Sequence, residues 1–461
     1  MKKLLLINPV GQTSGYLLSK FSTIPPLSLA YIAAVTPSDW EVKIADENFG
    51  RLEVEDADLV GISAFTSNIN RAYEIARIYR ERGIKVVIGG IHASMLPNEA
   101  LPYVDAVVIG EAELIWSKVI EDFENNRLSG KYVGPRVDLT QSVIKPRRDL
   151  IDHRYVFHSI QTSRGCPFDC NYCTVSKYLG KEFRQRSAQD VLGELQEIGG
   201  EYLFFLDDNL IGHSPKSIKR AKDIFAGMIE LELKKKWWMQ ISIDSTKDEE
   251  VLELAAKAGC MFAFIGFETI SEMTLKDMKK GINLKIGVDN YKKVVNALHA
   301  HGIGVVGAFI IGNDHESPGY YKHLAKFLVR SGIDVFQIAI LTPLPGTEFM
   351  AWVQKKDSLL FRNFPEDWDK FRLSYVVRQP EGIEPETIYI GDNYIKNHIY
   401  SFPWNQYRIL KSFLSIKKPI NSYAVYRFNK ALKKNWKGSH YYKKYPAKFP
   451  PVHSNCDGFG S

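Results

Sequence analysis

Cysteine is scarce in this sequence, which has five cysteines among 461 residues. Five thiols are too few for a disulfide framework, and three of them are clustered. We therefore expect the protein to lie in a reducing compartment, the cytoplasm. The sequence has no uncharged apolar run of about 18 residues or more, and the apolar stretch after Met1 is too short for a signal peptide. We therefore predict a cytoplasmic protein without a membrane-spanning helix.

The composition excludes a mainly disordered chain, because 45% of the residues are hydrophobic and 25% are charged. A chain of 461 residues is long enough for about three domains. We place the domain boundaries where the alternation of apolar runs and helical segments is interrupted. The predicted segments are a first α/β domain at 1–130, a linker at 131–155, a second α/β domain at 156–360, and a mainly helical C-terminal region at 361–461.

Acidic residues are nearly absent from the C-terminal end, although the whole chain has 60 basic and 53 acidic residues. Residues 401–461 contain 12 Lys or Arg, 13 aromatic residues and one acid, Asp457. We favour a helical cap that contacts a hydrophobic substrate. The alternatives are peripheral contact with the inner face of a membrane, a solvated basic helix face and, least favoured, RNA binding.

Residues 1–130 alternate short apolar runs with helical segments, which indicates a doubly wound parallel sheet covered on both faces. Ligands of such sheets bind beyond the carboxyl ends of the strands. Small or polar residues occupy these ends and predict a bound ligand there; they are Asn8, Asp46, Ser63, Gly89, Gly90, Gly110 and Glu111.

A second series of strands and helices follows the linker. Its six strand candidates are HSIQTS (158–163), YLFFLDD (202–208), WWMQISID (237–244), FAFIGFE (262–268), GVVGAFIIG (304–312) and VFQIAIL (335–341). Six parallel strands with intervening helices predict a partial or complete (β/α) barrel, whose chemistry lies at the carboxyl ends of its strands.

The strongest chemical signal is a three-cysteine loop directly after the first of these strands, formed by Cys166, Cys170 and Cys173. Three thiolates on one short loop can bind three irons of a [4Fe–4S] cube and leave the fourth iron open to a small ligand. The alternatives are a zinc site without its fourth ligand, or incidental thiols. Cys260 lies in an apolar stretch and is predicted to be a core residue, and too few cysteines remain, counting Cys456, for a second cluster.

This loop resembles the signature of the radical S-adenosylmethionine (SAM) superfamily, C-x3-C-x-aromatic-C, with Tyr172 at the aromatic position. The resemblance implies that the three cysteines bind the cluster and that Tyr172 lies near the adenine of SAM. In that superfamily the cluster cleaves SAM to a 5′-deoxyadenosyl radical.

Other strand ends match the SAM-binding positions of the superfamily less sharply. Many members carry Gly-Gly-Glu at the second strand end, where this chain has Asp207-Asp208-Asn209. We assign the contact with the amine of SAM to Asp207 or Asp208. By the same resemblance Ser242, Asp244 and Glu268 contact the ribose and carboxylate, and the alternative for each is a helix cap.

The first domain resembles the cobalamin-binding domain of B12-dependent radical SAM enzymes. The resemblance is carried by the segments 6–9, 25–31, 61–66, 89–94 and 109–113. It implies a cobalamin site whose candidate residues are Asn8, Asn48, Ser63, Thr66, Gly89, Gly90, His92, Gly110 and Glu111. Where some cobalamin enzymes have Asp-x-His-x-x-Gly, this chain has Asn48 in place of the histidine, so we predict that the cobalt is not ligated by histidine.

The combined resemblance implies a carbon methyltransferase that uses SAM, a [4Fe–4S] cluster and cobalamin. The resemblance covers about four-fifths of the chain, and the organisation of the chain is similar to that of the bacteriochlorophyll side-chain methyltransferases and hopanoid methylases. This similarity implies a large hydrophobic substrate. It also implies a reducing electron donor such as flavodoxin or ferredoxin. The alternatives are an anaerobic oxidative cyclase of a tetrapyrrole and, from another class, a B12-binding sensor without catalysis. An RNA methylthiotransferase would need further cysteines before the radical core, and residues 1–165 contain none.

Overall fold

The computed structural model describes residues 1–11, 24–141 and 144–449. Cys456 and Asp457, on which two sequence predictions depend, lie outside these ranges. Within the described ranges no helix has both the length and the apolar character needed to cross a membrane.

The first domain is built on a six-stranded parallel sheet. Its strands are β1 (Lys2–Asn8), β2 (Trp40–Asp46), β3 (Leu59–Ser63), β4 (Lys85–Gly89), β5 (Ala106–Gly110) and β6 (Gly130–Gly134). Its helices are α1 (Leu27–Val35), α2 (Ile69–Arg80), α3 (Ile91–Met95), α4 (Pro97–Ala100) and α5 (Trp116–Glu124). β6 pairs with β5 and occupies the start of the segment that the sequence predicted as a linker.

The continuous apolar runs form buried strands because the sheet carries a core on each face. Leu5 and Ile7 of β1 pack into one core, and Leu4 and Leu6 pack into the other. Successive side chains of a strand point to opposite faces, so a run without polar residues suits a sheet covered on both sides.

The strand order β2-β1-β3-β4-β5-β6 places the topological switch between β1 and β3. In doubly wound sheets the ligand crevice lies outside the carboxyl ends of the strands at this point. Asn8 ends β1 and Ser63 ends β3, so both candidate residues lie at the crevice.

The second domain contains a six-stranded parallel sheet and a two-stranded antiparallel ribbon. The sheet strands are β7 (His158–Ile160), β10 (Tyr202–Phe205), β11 (Lys236–Ile241), β12 (Cys260–Glu268), β13 (Gly304–Ile311) and β14 (Val335–Ile340). The ribbon strands are β8 (Ser163–Arg164) and β9 (Arg184–Gln185). The sheet order β14-β13-β12-β11-β10-β7 confirms the predicted partial (β/α)6 barrel, although the first candidate strand ends at Ile160 instead of continuing to Ser163.

Helices separate these strands and cover the outside of the sheet. They are α6 (Val175–Tyr178), α7 (Ala188–Glu197), α8 (Pro215–Glu230), α9 (Glu249–Lys257), α10 (Glu272–Asp277), α11 (Gly281–Ile286), α12 (Tyr291–Ala300), α13 (Pro318–Ser331) and α14 (Glu348–Lys355). The C-terminal region is helical, as predicted, and consists of α15 (Pro385–Tyr400), α16 (Trp404–Ile416) and α17 (Pro419–Lys437).

α17 lies at the amino-terminal end of the second sheet. Asn421 Nδ2 donates to the carbonyl oxygen of Gly302, just before β13, and Asn429 Nδ2 donates to that of Asp334, just before β14, both at 2.9 Å. Phe428 packs edge-on against Trp238, near the start of β11, with the ring centroids 4.7 Å apart. The basic helix α17 therefore covers the end opposite to the cysteine loop, where a substrate cap would not lie.

A different segment, residues 359–378, lies at the carboxyl ends of the strands. The backbone N–H of Ile340 donates to Leu373, at the end of β14, and Arg378 donates to Gly312, at the end of β13. Trp368 and Phe371 of the same segment pack into a core of the first domain. This segment therefore joins the two domains on the side of the candidate site.

Candidate active site

The cysteine loop lies between β8 and α6 and is fixed at several points. The backbone N–H of Cys166 donates to Gly180 and that of Cys173 donates to Cys170, both at 3.1 Å. Asn171 anchors the middle of the loop, because its side-chain amide donates to the carbonyl of Asp277 at 2.7 Å. The loop is therefore held by the helical elements on both sides of it.

The state of the three cysteines fits an iron–sulfur cluster. All three are free thiols, and burial raises their pKa values, that of Cys173 to about 12. Iron binds thiolates, so loading of the cluster has to release these protons. Residues 1–11, 24–141 and 144–449 contain no group of three His, Cys, Asp or Glu around a single ion position. Each cysteine of a cube binds a different iron, so its ligands need not meet at one point.

Tyr172 lies among apolar side chains at the carboxyl end of the barrel. It packs against the cluster of Met278, Leu341 and Phe349. This burial raises the pKa of Tyr172 well above its ordinary value, so the side chain is neutral. The Tyr172 ring is thus held in a fixed position within the cysteine loop, and by the sequence resemblance the adenine of SAM would lie near this ring.

The surroundings of Asp207 and Asp208, which follow the end of β10, separate their roles. Leu203, Phe205 and Asp207 are fully buried on the helix-covered side of the sheet. The carboxylate of Asp207 accepts hydrogen bonds from the backbone and hydroxyl of Thr162, at 3.1 and 2.7 Å, and another from Ser163. Asp208 lies in the turn that follows, where its charge acts on Cys166 and Cys173, so its side chain lies on the side of the cysteine loop.

Asp208 is accessible to solvent but is surrounded by the walls of the barrel. Burial and the neighbouring Asp207 carboxylate raise its pKa to about 7. The charge of Asp208 also acts on Cys166 and Cys173, which places it near the cysteine loop. No Lys or Arg of the described ranges forms an ion pair with Asp208, so its accessible carboxylate can receive an ammonium group.

Ser242 and Asp244 lie together after the end of β11. The Ser242 hydroxyl donates to Asp244 Oδ1 at 2.5 Å, and Asn209 Nδ2 donates to the Ser242 oxygen at 3.4 Å. The Ser242 side chain makes no capping hydrogen bond to the helical turn that follows. Both side chains are half-exposed and can contact a ligand in the barrel.

Glu268 ends β12 and is paired with a lysine that the sequence analysis missed. Lys280 Nζ lies 2.7 Å from Glu268 Oε1, and both side chains are mostly buried. Glu268 has a φ of +66°, which most side chains avoid. A Cβ atom at Gly266 would lie 2.2 Å from the Glu268 carboxylate, so a side chain there would displace this carboxylate from its present position. Lys280 also acts electrostatically on Cys170 and Tyr172, which places it beside the cysteine loop.

At the edge of the first sheet, three predicted residues form one hydrogen-bonded group. Asn8 Nδ2 donates to Asp46 at 2.8 Å, and the backbone N–H of Asn48 donates to the same carboxylate at 3.0 Å. The side-chain amide of Asn48 donates to the Tyr155 hydroxyl at 2.9 Å, and Tyr155 in turn donates to Asp46. The amide of Asn48 thus serves contacts within the protein.

Ser63, Gly89, Gly90 and Gly110 leave open backbone at the carboxyl ends of β3, β4 and β5. Gly90 has a φ of +93°, and a Cβ atom there would lie 2.6 Å from the carbonyl oxygen of Ala64. This close approach of two loops requires glycine. All four residues are half-buried, so part of each remains accessible at this edge of the sheet.

Thr66 and His92 have partners inside the first domain. His92 is fully buried, with Nδ1 3.1 Å from the Thr66 hydroxyl and Nε2 3.1 Å from Glu99. Glu99 also accepts from Trp368 Nε1 at 2.8 Å. Both ring nitrogens of His92 are occupied, so this arrangement connects the first domain to the joining segment 359–378.

Glu111 forms a buried ion-pair network across the domain boundary. Arg164 Nη1 lies 2.8 Å and Arg184 Nη1 3.0 Å from Glu111 Oε2. The backbone N–H of Val137 donates to the same carboxylate at 3.0 Å. Arg164 and Arg184 form the ribbon beside the cysteine loop, so Glu111 links that loop to the first sheet.

Matches to family models coincide with the two domains. The radical SAM superfamily model matches residues 160–328, and the B12-binding domain model matches residues 14–120. The first match implies a [4Fe–4S] cluster and SAM, and the second implies cobalamin.

Solved structures with a similar fold support this arrangement. The cobalamin-dependent SAM radical enzyme OxsB, solved with aqua-cobalamin and SAM bound, is similar over 94% of this chain and 71% of its own, with a TM-score of 0.68 and 17% identity. The radical SAM methyltransferase TsrM from Kitasatospora setae, solved with cobalamin and a [4Fe–4S] cluster, is similar over 77% and 75%, with a TM-score of 0.62 and 18% identity.

Relatives of known activity are similar over most of the chain. Bacteriochlorophyllide d C-12(1)-methyltransferase from Chlorobaculum tepidum is 30% identical over 415 residues, which cover 86% of each chain. Hopanoid C-2 methylase from Rhodopseudomonas palustris is 28% identical and covers 73% of this chain and 66% of its own. The anaerobic magnesium-protoporphyrin IX monomethyl ester cyclase of Rubrivivax gelatinosus is 22% identical and covers 71% and 63%. The two domain matches and the 30% identity to the first relative show that the chain belongs to the family of cobalamin-dependent radical SAM methyltransferases.

Proposed function

We propose that this enzyme places a methyl group on an unactivated carbon of a large hydrophobic substrate, either a tetrapyrrole of the bacteriochlorophyll type or a polycyclic lipid. The observation that carries the proposal is the joining of the cysteine loop to the carboxyl edge of the first sheet through Glu111 and Arg164. Two cofactor domains held edge to edge allow both cofactors to act on one substrate carbon.

In the second domain, Cys166, Cys170 and Cys173 hold the cluster, and Tyr172 lines the position of the adenine. Asp208 receives the ammonium group of SAM, because it is the accessible carboxylate inside the barrel. Ser242 and Asp244 contact the ribose. The Glu268–Lys280 pair presents its lysine to the carboxylate of SAM, and Asp207 has a structural role instead.

In the first domain, Ser63, Gly89, Gly90 and Gly110 contact cobalamin through the exposed backbone of the strand ends. Asn8 and Asn48 shape this site through their shared partner Asp46. Three further candidates, Thr66, His92 and Glu111, stabilise the loops of this site and do not contact cobalamin themselves, because their polar atoms form hydrogen bonds within the protein. When bound, the cofactors supply a hydrogen-abstracting radical and the methyl group to be transferred.

The proposed partners are the hydrophobic substrate, a reducing electron donor such as flavodoxin or ferredoxin, and the inner face of a membrane. Relatives that act on bacteriochlorophyllide and on hopanoids support a hydrophobic substrate. The donor supplies the electrons that radical SAM chemistry consumes.

The test is anaerobic purification with cobalamin supplied, followed by metal and corrinoid analysis of the same sample. The expected content is about four irons and one cobalt per chain, as a single cluster and one corrinoid require. The loaded enzyme is then incubated with tetrapyrroles and polycyclic lipids and with SAM carrying a trideuterated methyl group. The expected product carries one trideuterated methyl group in place of a hydrogen atom.

The alternative functions give different results in the same experiment. A cyclase, favoured by the similarity to the magnesium-protoporphyrin ester cyclase, would add oxygen from labelled water and no deuterium. A B12-binding sensor would bind cobalamin without cleaving SAM. Iron without cobalt would exclude the methyltransferase mechanism proposed here.

A further inference from the structure

Helix α16 has the reverse of the usual distribution of side chains. Arg408 and Ser412, which face the protein, are each only 4% exposed. Tyr407, Leu410 and Leu414 are 46%, 58% and 62% exposed and lie three and four residues apart. Residues at this spacing share one face of a helix, so the outer face of α16 is apolar.

The buried polar groups explain how a helix can pack in this orientation. Arg408 donates to the carbonyl oxygens of Ile399 and Asp334 and to Asn429 Oδ1, at 3.0–3.1 Å. α17 is attached in the same way, through Asn421 and Asn429. These hydrogen bonds add to the apolar packing of Ile416, Val425 and Phe428 in fixing both helices to the barrel, and other large apolar side chains remain outside.

The apolar surface of these two helices is concentrated in a short segment. Nine of the seventeen exposed large apolar side chains of the described chain lie between Phe402 and Tyr426. Isolated exposed apolar residues are normal, but a contiguous apolar surface marks an interaction site. We call the exposed faces of α16 and α17 the C-terminal patch.

Basic side chains continue the C-terminal patch along α17. Arg427, Lys430, Lys434 and Lys437 are exposed beyond Tyr423 and Tyr426. In the described ranges no ion pair involves any of the 12 Lys and Arg after residue 400. The apolar surface is thus bordered by positive charge that acidic groups of the protein do not neutralise.

The geometry points to the C-terminal patch as a docking surface for a membrane that contains anionic lipids. It identifies the surface for the membrane contact proposed above and does not depend on the methyl-transfer chemistry. Interfacial helices bury aliphatic and aromatic side chains at the headgroup boundary, and their lysines attract anionic lipids. In the C-terminal patch, Leu410, Phe413 and Leu414 are the side chains that would be buried at the headgroup boundary. Arg427 and Lys430 are the basic side chains that would attract anionic lipids.

Two other occupants fit these residues less well. RNA binding stacks bases on aromatic rings, which the patch also has, but the exposed aliphatic side chains of Leu410, Leu414 and Ile420 offer no stacking surface and suit the acyl region of a membrane better. A symmetric dimer through the same patch would bring the lysines of both copies together, which is unfavourable. Charge complementarity therefore favours the lipid surface.

The test is sedimentation of the full-length, cofactor-loaded enzyme with vesicles. One set contains phosphatidylcholine alone, and the other contains equal amounts of phosphatidylcholine and phosphatidylglycerol. We expect binding to the second set, decreasing as salt is added. The Leu410→Glu/Leu414→Glu variant is expected to bind about tenfold more weakly or worse, from the lost apolar contact. Lys430→Glu/Lys434→Glu is expected to lose at least about fivefold per lysine, at low salt only.

Matched controls place the same changes elsewhere. Leu231→Glu alters an exposed leucine after α8, and Lys216→Glu/Lys219→Glu reverses exposed charges on α8. Both controls should bind as the unchanged enzyme does, and circular dichroism checks that every variant is folded.

Several outcomes would overturn the proposal. The first is that the enzyme does not bind anionic vesicles at low salt. The second is that the patch variants bind these vesicles as well as the controls do. The third is that the patch variants change only the oligomeric state or RNA binding. Because vesicle binding is measured without substrate, a failed methylation assay would leave this test intact.

Discussion

Arg164 and Glu111 form a buried ion pair between the cysteine-loop ribbon and the first sheet, with 2.8 Å between Nη1 and Oε2. Burial alone would raise the pKa of Glu111, but hydrogen bonds from Arg184 and the charge of Arg164 outweigh it and hold that pKa below its ordinary value. The carboxylate is therefore charged in the folded protein and stabilises the contact between the domains.

Replacing Glu111 by Gln should destabilise the protein, because buried Arg184 loses its carboxylate partner and buried Arg164 keeps only Glu113. We expect a loss of about 3–5 kcal/mol in the free energy of unfolding, measured by guanidinium denaturation. The effect of Glu111 should be full above pH 4.5, its ordinary pKa, and decline as the pH falls below it. The control Glu124→Gln removes an exposed partner of Lys2 and should change little. Equal stability of the two variants would contradict the structural role of Glu111.

Replacing Asp208 by Asn should weaken SAM binding and remove its pH dependence. The pKa of Asp208 is about 7, so its carboxylate becomes protonated and loses its attraction for an ammonium group as the pH falls below 7. SAM affinity of the unchanged enzyme, measured by equilibrium dialysis, should decrease over this range, whereas that of the variant should stay constant.

The matched control is Asp207→Asn, one residue earlier on the same strand. It should cost about 1–3 kcal/mol of stability through the hydrogen bonds with Thr162 and Ser163. The pH dependence of SAM binding should remain in this control. If the two variants exchange these effects, the assignment of their roles is wrong.

Replacing Cys170 by Ala should abolish the cluster, because three thiolates are needed to hold it. The iron content and the visible iron–sulfur absorption should be lost, while circular dichroism remains unchanged. Cys260→Ala removes a buried thiol that lies in the apolar core of the barrel, and it should retain the iron. Retention of iron by the Cys170 variant would remove the cluster assignment.

Replacing Asn48 by Ala should leave cobalamin bound. The Asn48 amide donates to Tyr155, so its loss should cost about 1 kcal/mol of stability. Tyr155→Phe removes the other partner of this hydrogen bond and serves as the comparison. Corrinoid content after gel filtration is the measurement, and release of cobalamin by the Asn48 variant alone would show that the amide contacts the cofactor.

The sequence predicted the strands and the cysteine loop because both depend on local patterns. The five remaining barrel strands begin within two residues of the predicted positions, since each is a run of apolar residues between polar segments. β6 was missed because its sequence, Gly130-Lys-Tyr-Val-Gly134, is short and mostly exposed. An edge strand of this kind has little apolar pattern to reveal it.

The details of the site needed the three-dimensional arrangement. Asp207 and Asp208 are adjacent in sequence, and only their contacts in the folded chain tell which of them lies beside the cysteine loop. Lys280 belongs to a separate loop before α11, and its pairing with Glu268 is a long-range contact. A buried carboxylate at a strand end needs a counter-charge, but no sequence pattern identifies the residue that supplies it.

Phe428 of α17 packs against Trp238 near the start of β11, so the two ends of the barrel differ: α17 covers the amino-terminal end and not the carboxyl end. Because α17 covers the amino-terminal end, a ligand of the barrel has to enter at the carboxyl ends of the strands, where the cysteine loop and segment 359–378 lie. A large substrate can therefore present one carbon at this end while the rest of the molecule stays outside the barrel.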